Sequence, residues 1–265
     1  ERSRRPEEIL EEVKQLLAAG YKDITLLGQN VNSYGKDLGL GMDFADLMGQ
    51  IAQLEGDFWL RFMTSHPKDA TKKLFDTMAA HPRIAKQFHL PFQSGNDRVL
   101  KEMNRRYTAA QYLELVDYGR TVMPELVLTS DVIVGFPGET EEEFQQTLDF
   151  CGKVGFAKIH VFPYSKREGT PAAEMPAQIP ENEKEKRVHR LMELEKRLAT
   201  AYRESLLGET RSVLLEEPLP DGRMGGYTPE YVQVAVSGGE SGQLVSVMLT
   251  GLTEEGMEGS IATQE

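Results

Sequence analysis

The residues that could do chemistry fall in four short segments. In "GQNVNSYG" (28–35), Gln29, Asn30, Asn32, Ser33 and Tyr34 directly follow an apolar run. They are uncharged hydrogen-bonding groups, able to satisfy the polar atoms of a small ligand without adding a buried charge. In "DVIVGFPGETEEEF" (131–144), an apolar run ends at Gly135 and Gly138. Such a turn lets the backbone pass the flat face of an adenine or approach a ribose. A triphosphate cradle does not fit, because no Gly-Lys-Ser/Thr follows and Glu139, Glu141, Glu142 and Glu143 crowd the turn. "HLPFQSGNDRVLKEMNRRYT" (89–108) sets Gln93 and Ser94 before a helix opened by Gly95, Asn96 and Asp97. "VFPYSKREGTPAA" (161–173) leads from aromatic residues into Lys166 and Arg167.

These segments need elements to position them. Pro6, early acids, and apolar residues at Ile9, Val13, Leu16 and Leu17 predict a helix over 6–19, ended by Gly20. The strand "DITLL" (23–27) follows and reads as buried. Further strands are expected at 58–63, about 86–91, 126–134 and 157–162, with helices at 43–54, 69–80, 96–103, 108–122 and 140–154. Five strands separated by helices indicate parallel β/α architecture. Polar groups gather after each strand: Gln29 and Asn30, Ser65 and His66, Gln93 and Ser94, Gly135 to Glu139, Tyr164 and Ser165. The carboxyl ends of parallel strands are where such folds place a ligand.

A Pro-rich connector (168–180) leads to a charged helix over 181–207. Val188, Leu191, Leu194, Leu198 and Tyr202 give it one apolar stripe, and its charged residues read as a solvated face. After Gly208 come short β-rich runs between Gly-rich turns, the pattern of a small antiparallel β-barrel. The chain therefore divides into 1–207 and 208–265. The second part holds ten acids against Arg211 and Arg223, so it carries most of the net charge of −12. That charge opposes broad nonspecific binding to nucleic acid. The 265 residues contain no apolar run long enough for a membrane span and no visible signal peptide. One cysteine, Cys151, excludes an internal disulfide and suits a reducing cytoplasm. The chain opens inside a helix start without an initiator Met, so a preceding segment is expected.

Taken together, "GQNVNSYG", "HLPFQSGNDRVLKEMNR", "TSDVIVGFPGETEEEF" and "FPYSKREGTPAA" resemble, in order, the motifs of the methylthiotransferase branch of the radical S-adenosylmethionine enzymes. "GQNVNSYG" points within it to tRNA methylthiotransferases of the MiaB type. The resemblance implies a partial (β/α)6 TIM-like barrel lacking its first strand, followed by a TRAM barrel that "GYTPEYVQVAV" (226–236) matches. It implies methylthiolation of an isopentenylated adenosine beside the tRNA anticodon. Gly28, Gln29 and Asn30 would meet the methionine amino group of S-adenosylmethionine. Ser65 and Gln93 would line its cleft, Ile133 and Gly135 would pass the adenine, and Glu139 would close that motif. Asp131 would contact ribose or substrate, and Phe162 and Tyr164 would wall the adenosyl group. Asn32, Ser33 and Tyr34 would face the substrate. Arg2, Arg4, Arg5, Arg105, Arg106, Lys166 and Arg167 are candidate RNA contacts.

Family members hold one 4Fe-4S cluster on a CxxxCxxC loop and a second in an N-terminal domain. Neither ligand set exists in this sequence. The resemblance further implies an electron-donor protein, and chemistry in which a reduced cluster converts S-adenosylmethionine to a hydrogen-abstracting radical. The auxiliary cluster would supply sulfur and a second S-adenosylmethionine the methyl group. The cofactors carry that chemistry, so no general acid or base is assigned and no metal ligands are named. This chain alone is expected to be inactive. Two other readings remain: a noncatalytic RNA-binding module, and a metal-dependent barrel hydrolase built on His66, His89, Asp131 and His160. Against the hydrolase, His89 and His160 precede their strand ends and are not expected to converge.

Overall fold

The computed structural model describes residues 2–63 and 65–262. In chain order the elements are α1 (Pro6–Ala18), β1 (Asp23–Leu26), α2 (Phe44–Ala52), β2 (Trp59–Phe62), α3 (Lys72–Ala80) and β3 (Gln87–His89). Then come α4 (Asp97–Glu102), α5 (Ala109–Val122), β4 (Val127–Val134), α6 (Glu141–Val154), β5 (Lys158–Pro163), α7 (Pro171–Glu174) and α8 (Glu181–Ser205). The last five strands are β6 (Thr210–Pro218), β7 (Met224–Tyr227), β8 (Gln233–Val236), β9 (Leu244–Leu252) and β10 (Met257–Ile261). Short 3-10 turns occupy Val31–Ser33 and Pro67–Asp69. Among the described residues no helix is long and apolar enough to cross a membrane.

The chain forms two compact units. The first comprises Glu1–Met63, Asp76–Gln87 and Thr200–Glu265; the second, Thr64–Phe75 and Phe88–Ala199. In the first unit, β1 and β2 form a two-stranded parallel sheet. Only Ile24 of β1 is buried, so the strand is half-buried rather than the buried strand its composition suggests. The reason is its place at a sheet edge, with β2 as its one partner among the described residues. By contrast, all four residues of β2 are buried.

Within the same unit β6–β10 close into a barrel in the order β10-β8-β7-β6-β9. Its core is Val213, Leu215, Val234, Val236, Val247, Leu249 and Met257, with Leu206 and Val232. The sequence pattern suggested antiparallel pairing throughout, but β10 and β8 pair in parallel. Geometry requires this, since a closed ring with an odd number of strands cannot alternate direction everywhere. The Gly-rich stretch "PDGRMGG" (220–226) reads as one of the turns, yet its last three residues begin β7. A Cβ on Gly226 would lie 2.3 Å from the carbonyl oxygen of Leu214, so the glycine serves close strand pairing, not chain reversal.

A single buried cation joins this unit's sheet to its barrel. Arg61 on β2, with a side chain 1% exposed, pairs through Nε with both carboxylate oxygens of Asp23 on β1, at 2.8 and 3.0 Å. Its Nη2 donates to the carbonyl oxygen of Thr228 at 3.0 Å, and its Nη1 to that of Pro229. The Tyr231 ring stacks 3.8 Å from the guanidinium. A planar fork can satisfy a carboxylate, two carbonyls and an aromatic face together, whereas an ammonium cannot.

The second unit contains the three-stranded parallel sheet β3-β4-β5. One face packs against an aromatic cluster in which the Phe92 ring lies 5.1 Å from Phe150, 5.5 Å from Phe156 and 5.6 Å from Tyr112. Removing the Arg61 fork leaves Asp23 and two backbone carbonyls without their donor. R61A is therefore expected to lower unfolding free energy by about 3–5 kcal/mol in urea titrations, with R61K recovering only part of it. A loss below about 1 kcal/mol would show the ion pair to be dispensable.

Candidate functional site

The opposite face of the β3-β4-β5 sheet is open and chemically mixed. Along β4 the even positions Leu128, Ser130, Val132 and Val134 are buried, while Thr129, Asp131 and Ile133 are only half-buried. Their parallel partners on β5 are Lys158, His160 and Phe162. All three partners are exposed, Phe162 to 49%. On β3, His89 stands beside Thr129, with Nδ1 2.9 Å from the hydroxyl. Asp131, Ile133 and Phe162, three of the candidate ligand residues, therefore share one face.

The segment after β3 is pinned by a buried hydroxyl. Ser130 Oγ accepts from Phe92 N–H at 2.9 Å and donates to the Leu90 carbonyl at 2.8 Å. The Tyr112 hydroxyl also donates to Leu90 O, at 2.8 Å, and the Tyr107 hydroxyl to Phe92 O, at 2.9 Å. Burial pushes the Tyr107 phenol up to about 12, so it remains a donor across the physiological range. These ties hold Gln93 at φ 71°, a left-handed conformation uncommon for a side-chain-bearing residue. Gln93 bridges β4 from there, donating to Asp131 O and accepting from Ile133 N–H, both at 3.0 Å. Asn96 then caps α4 by accepting from Val99 N–H.

The turn after β4 is fastened from behind. Glu139, 2% exposed, accepts from Gly135 N–H at 2.7 Å and from Arg187 Nη1 at 2.6 Å. Burial raises its carboxyl above the ordinary range, opposed by the Gly135 hydrogen bond and by Arg187. Gly135 has φ 71°, and a Cβ there would lie 2.3 Å from Lys184 Cγ. Lys184 itself donates to Tyr164 O at 2.9 Å. Thr140 caps α6 in a reciprocal box with Glu143. The sequence reading missed Lys184 and Arg187, treating them as part of a solvated face. Their signal was the spacing 184, 187, 191, which puts them on one side of α8 with buried Leu191.

Two further candidates carry unspent hydrogen-bonding capacity. Ser65 Oγ and Tyr164 Oη are buried with no hydrogen-bond partner among the described residues, which is uncommon for buried polar atoms. In the first unit, Gly28, Gln29 and Asn30 line a cavity of about 440 Å³ with residues of α1 and β1. The chain beyond it is tied down by Tyr34, whose hydroxyl donates to Arg4 O at 2.9 Å, and by Gly35 N–H donating to Ser3 Oγ at 3.0 Å. Asn32 is 7% exposed, with neither amide atom partnered among the described residues.

The RNA candidates are less uniform. Arg4 is paired with Glu12 at 2.5 Å, whereas Arg106, Lys166 and Arg167 are exposed. Arg105 is half-buried with Nη1 3.4 Å from His66 Nε2. Burial, reinforced by Arg105, pushes the His66 imidazole below its ordinary value.

A match to the model of the radical SAM superfamily over residues 1–151 covers more than half of the chain. The chain belongs to the radical SAM superfamily. Among curated relatives, it is 46% identical over 255 residues to the tRNA-2-methylthio-N(6)-dimethylallyladenosine synthase of Desulfitobacterium hafniense, covering 94% of this chain and 57% of that one. It is 44% identical to the enzyme of the same name from Carboxydothermus hydrogenoformans, covering 94% and 58%. The chain thus spans about half the length of the curated relatives it matches. Among solved structures it resembles coproporphyrinogen III oxidase (HemN) from Escherichia coli, a radical SAM enzyme, with a TM-score of 0.51 and 16% identity, covering 86% of this chain and 59% of that one. It also resembles the radical S-adenosylmethionine methyltransferase TsrM from Kitasatospora setae, with a TM-score of 0.51 and 17% identity, covering 64% and 33%. These distant likenesses are of fold, and they agree with the TIM-like radical SAM architecture expected of the first part.

In this radical SAM chain the turn at Gly135 depends on a backbone that a side chain cannot share. G135A should destabilise the protein by about 1–3 kcal/mol in thermal unfolding, through positive φ and collision with Lys184. G152A, in α6 with nothing near its Cβ position, should be neutral or stabilising by up to about 1 kcal/mol. Equal effects would remove the turn's special status.

Proposed function

We propose that this chain is the cofactor-positioning core and C-terminal barrel of a tRNA methylthiotransferase. The observation that carries the reading is its 44–48% identity to relatives named as tRNA-2-methylthio-N(6)-dimethylallyladenosine synthases. The substrate proposed is an isopentenylated adenosine beside the anticodon, modified in the cytoplasm with electrons from a donor protein. The division at 207/208 is part of the proposal, with residues 208–265 as a TRAM-type RNA-binding barrel.

S-Adenosylmethionine suits the residues present. When bound, it supplies the radical and methyl chemistry of the family. The chain's own contribution is to bind and orient it. Ser65 Oγ and Tyr164 Oη offer unspent hydrogen bonds, Ile133 and Phe162 offer apolar surface, and the Gly135 turn lets backbone approach a flat base.

A 4Fe-4S cluster does not suit this chain. Such clusters take cysteine thiolates, and the sequence has one cysteine. Cys151 is buried on α6, where burial raises its thiol far above the ordinary range. No step involving a cluster is assigned to these 265 residues.

Isothermal titration should show the chain binding S-adenosylmethionine, with Y164F weakening it about 3–10-fold through one lost hydrogen bond. Anaerobic reconstitution with iron and sulfide should give no cluster and no 5′-deoxyadenosine. A protein extended upstream of Glu1 should give both, and should methylthiolate isopentenylated tRNA. A well-folded extended protein without iron or cleavage would overturn the enzyme assignment.

A further inference from the structure

The open sheet face holds a cluster of which the cofactor reading uses only Asp131. His89 on β3, Asp131 on β4 and His160 on β5 place one ligand-type atom each within 4.8 Å of the others. This overturns the expectation that His89 and His160 would not converge. Although both precede their strand ends, parallel register sets Asp131 directly beside His160, and His89 beside Thr129 brings its ring to the same spot. His66, the fourth residue of that discarded hydrolase reading, does not belong to the group.

The distances are informative. His89 Nε2 and Asp131 Oδ1 are 3.5 Å apart, long for a charge-assisted hydrogen bond. Two ligands of one tetrahedral ion, each about 2.0–2.1 Å from it, stand about 3.3–3.4 Å apart. The other ring nitrogen of His89 is held at 2.9 Å by the Thr129 hydroxyl, the kind of outer contact that fixes a ligating imidazole. A metal held by Nε2 requires the tautomer in which Nδ1–H donates to Thr129, and in that tautomer the Nε2 lone pair and the Asp131 carboxylate both face a cation placed between them. The neighbouring Lys158, two residues before His160, does not fill that role, because its ammonium is held by Glu195 at 3.1 Å.

The geometry points to a binding site for a divalent first-row transition metal formed by His89, Asp131 and His160. Two imidazoles and a carboxylate are a donor set for Zn²⁺, Co²⁺ or Fe²⁺, and three protein ligands leave further positions open. The site lies two residues toward the amino ends from Ile133 and Phe162, roughly 6.6 Å along the strands. It is therefore a separate station on the same face. Asp131 moves from the ribose- or substrate-contacting role expected of it to a ligand. This inference does not rest on the proposed methylthiotransferase activity.

The test uses the whole chain, purified without a histidine tag and freed of metal by chelation. Titration with Co²⁺ should give one equivalent bound, with visible bands of a low-coordinate nitrogen–oxygen site, and Zn²⁺ should displace it. D131N and H160Q should each weaken Co²⁺ binding by at least about tenfold. His160 is exposed, so H160Q is expected to fold normally, and circular dichroism checks that it does. X-ray absorption should report two imidazoles. Absent saturable binding, or undiminished binding in both variants, would overturn the site. The 3.5 Å approach would then be a direct contact between His89 and Asp131.

Discussion

The architecture of the second unit turns on Ser130. Its hydroxyl is fully buried and works in both directions, receiving Phe92 N–H and giving to Leu90 O. The chain leaving β3 thereby stays against β4 for four residues beyond the last regular pair. Without that tie, the buried Phe92 N–H would be left unsatisfied, at a cost of about 1–3 kcal/mol, and Leu90 O would keep only the Tyr112 hydroxyl. Gln93 would also lose the support that holds it in the left-handed region. Because a strand side chain's face is set by register, the tie also fixes what the open face presents. A one-residue slip of β4 would turn Thr129, Asp131 and Ile133 inward and expose Ser130 and Val132.

The first unit depends on a different kind of constraint. Arg61 is charged, buried and committed on every side, so it acts as a joint between the β1–β2 sheet and the 228–231 loop of the barrel. Such a joint contributes more to geometry than to net stability, because desolvating a guanidinium offsets much of its attraction for Asp23. Tyr231 takes φ 65° to present its ring to the cation. Strain at one loop residue and a buried charge on one strand are thus parts of the same arrangement.

Local signals made much of this legible in advance. The alternation of helices and strands read correctly because each element depends on a few adjacent residues. What failed depends on long-range pairing. β7 looked like a turn because its glycines serve the proximity of Leu214, distant in sequence. Lys184 and Arg187 looked solvated because their partners, Tyr164 O and Glu139, lie 20 and 48 residues away. The approach of His89, Asp131 and His160 was missed for the same reason. Strand-end arguments place residues along a strand, but only register across β3, β4 and β5 shows which ones meet.

The alternation within β4 carries a functional argument of its own. Strands of parallel sheets are commonly covered on both faces and read as continuous apolar runs. "VLTSDVIV" does not, because it interleaves Thr129 and Asp131 with buried Leu128, Ser130 and Val132. Packing alone would favour an apolar residue at 131, since a half-buried carboxylate pays for desolvation with no core contact in return. Asp131 instead sits beside two imidazoles, and Ile133 and Phe162 continue the same face as apolar surface toward the strand ends. A face graded from charged to apolar over one strand step can hold a polar group deep and a flat ring above it.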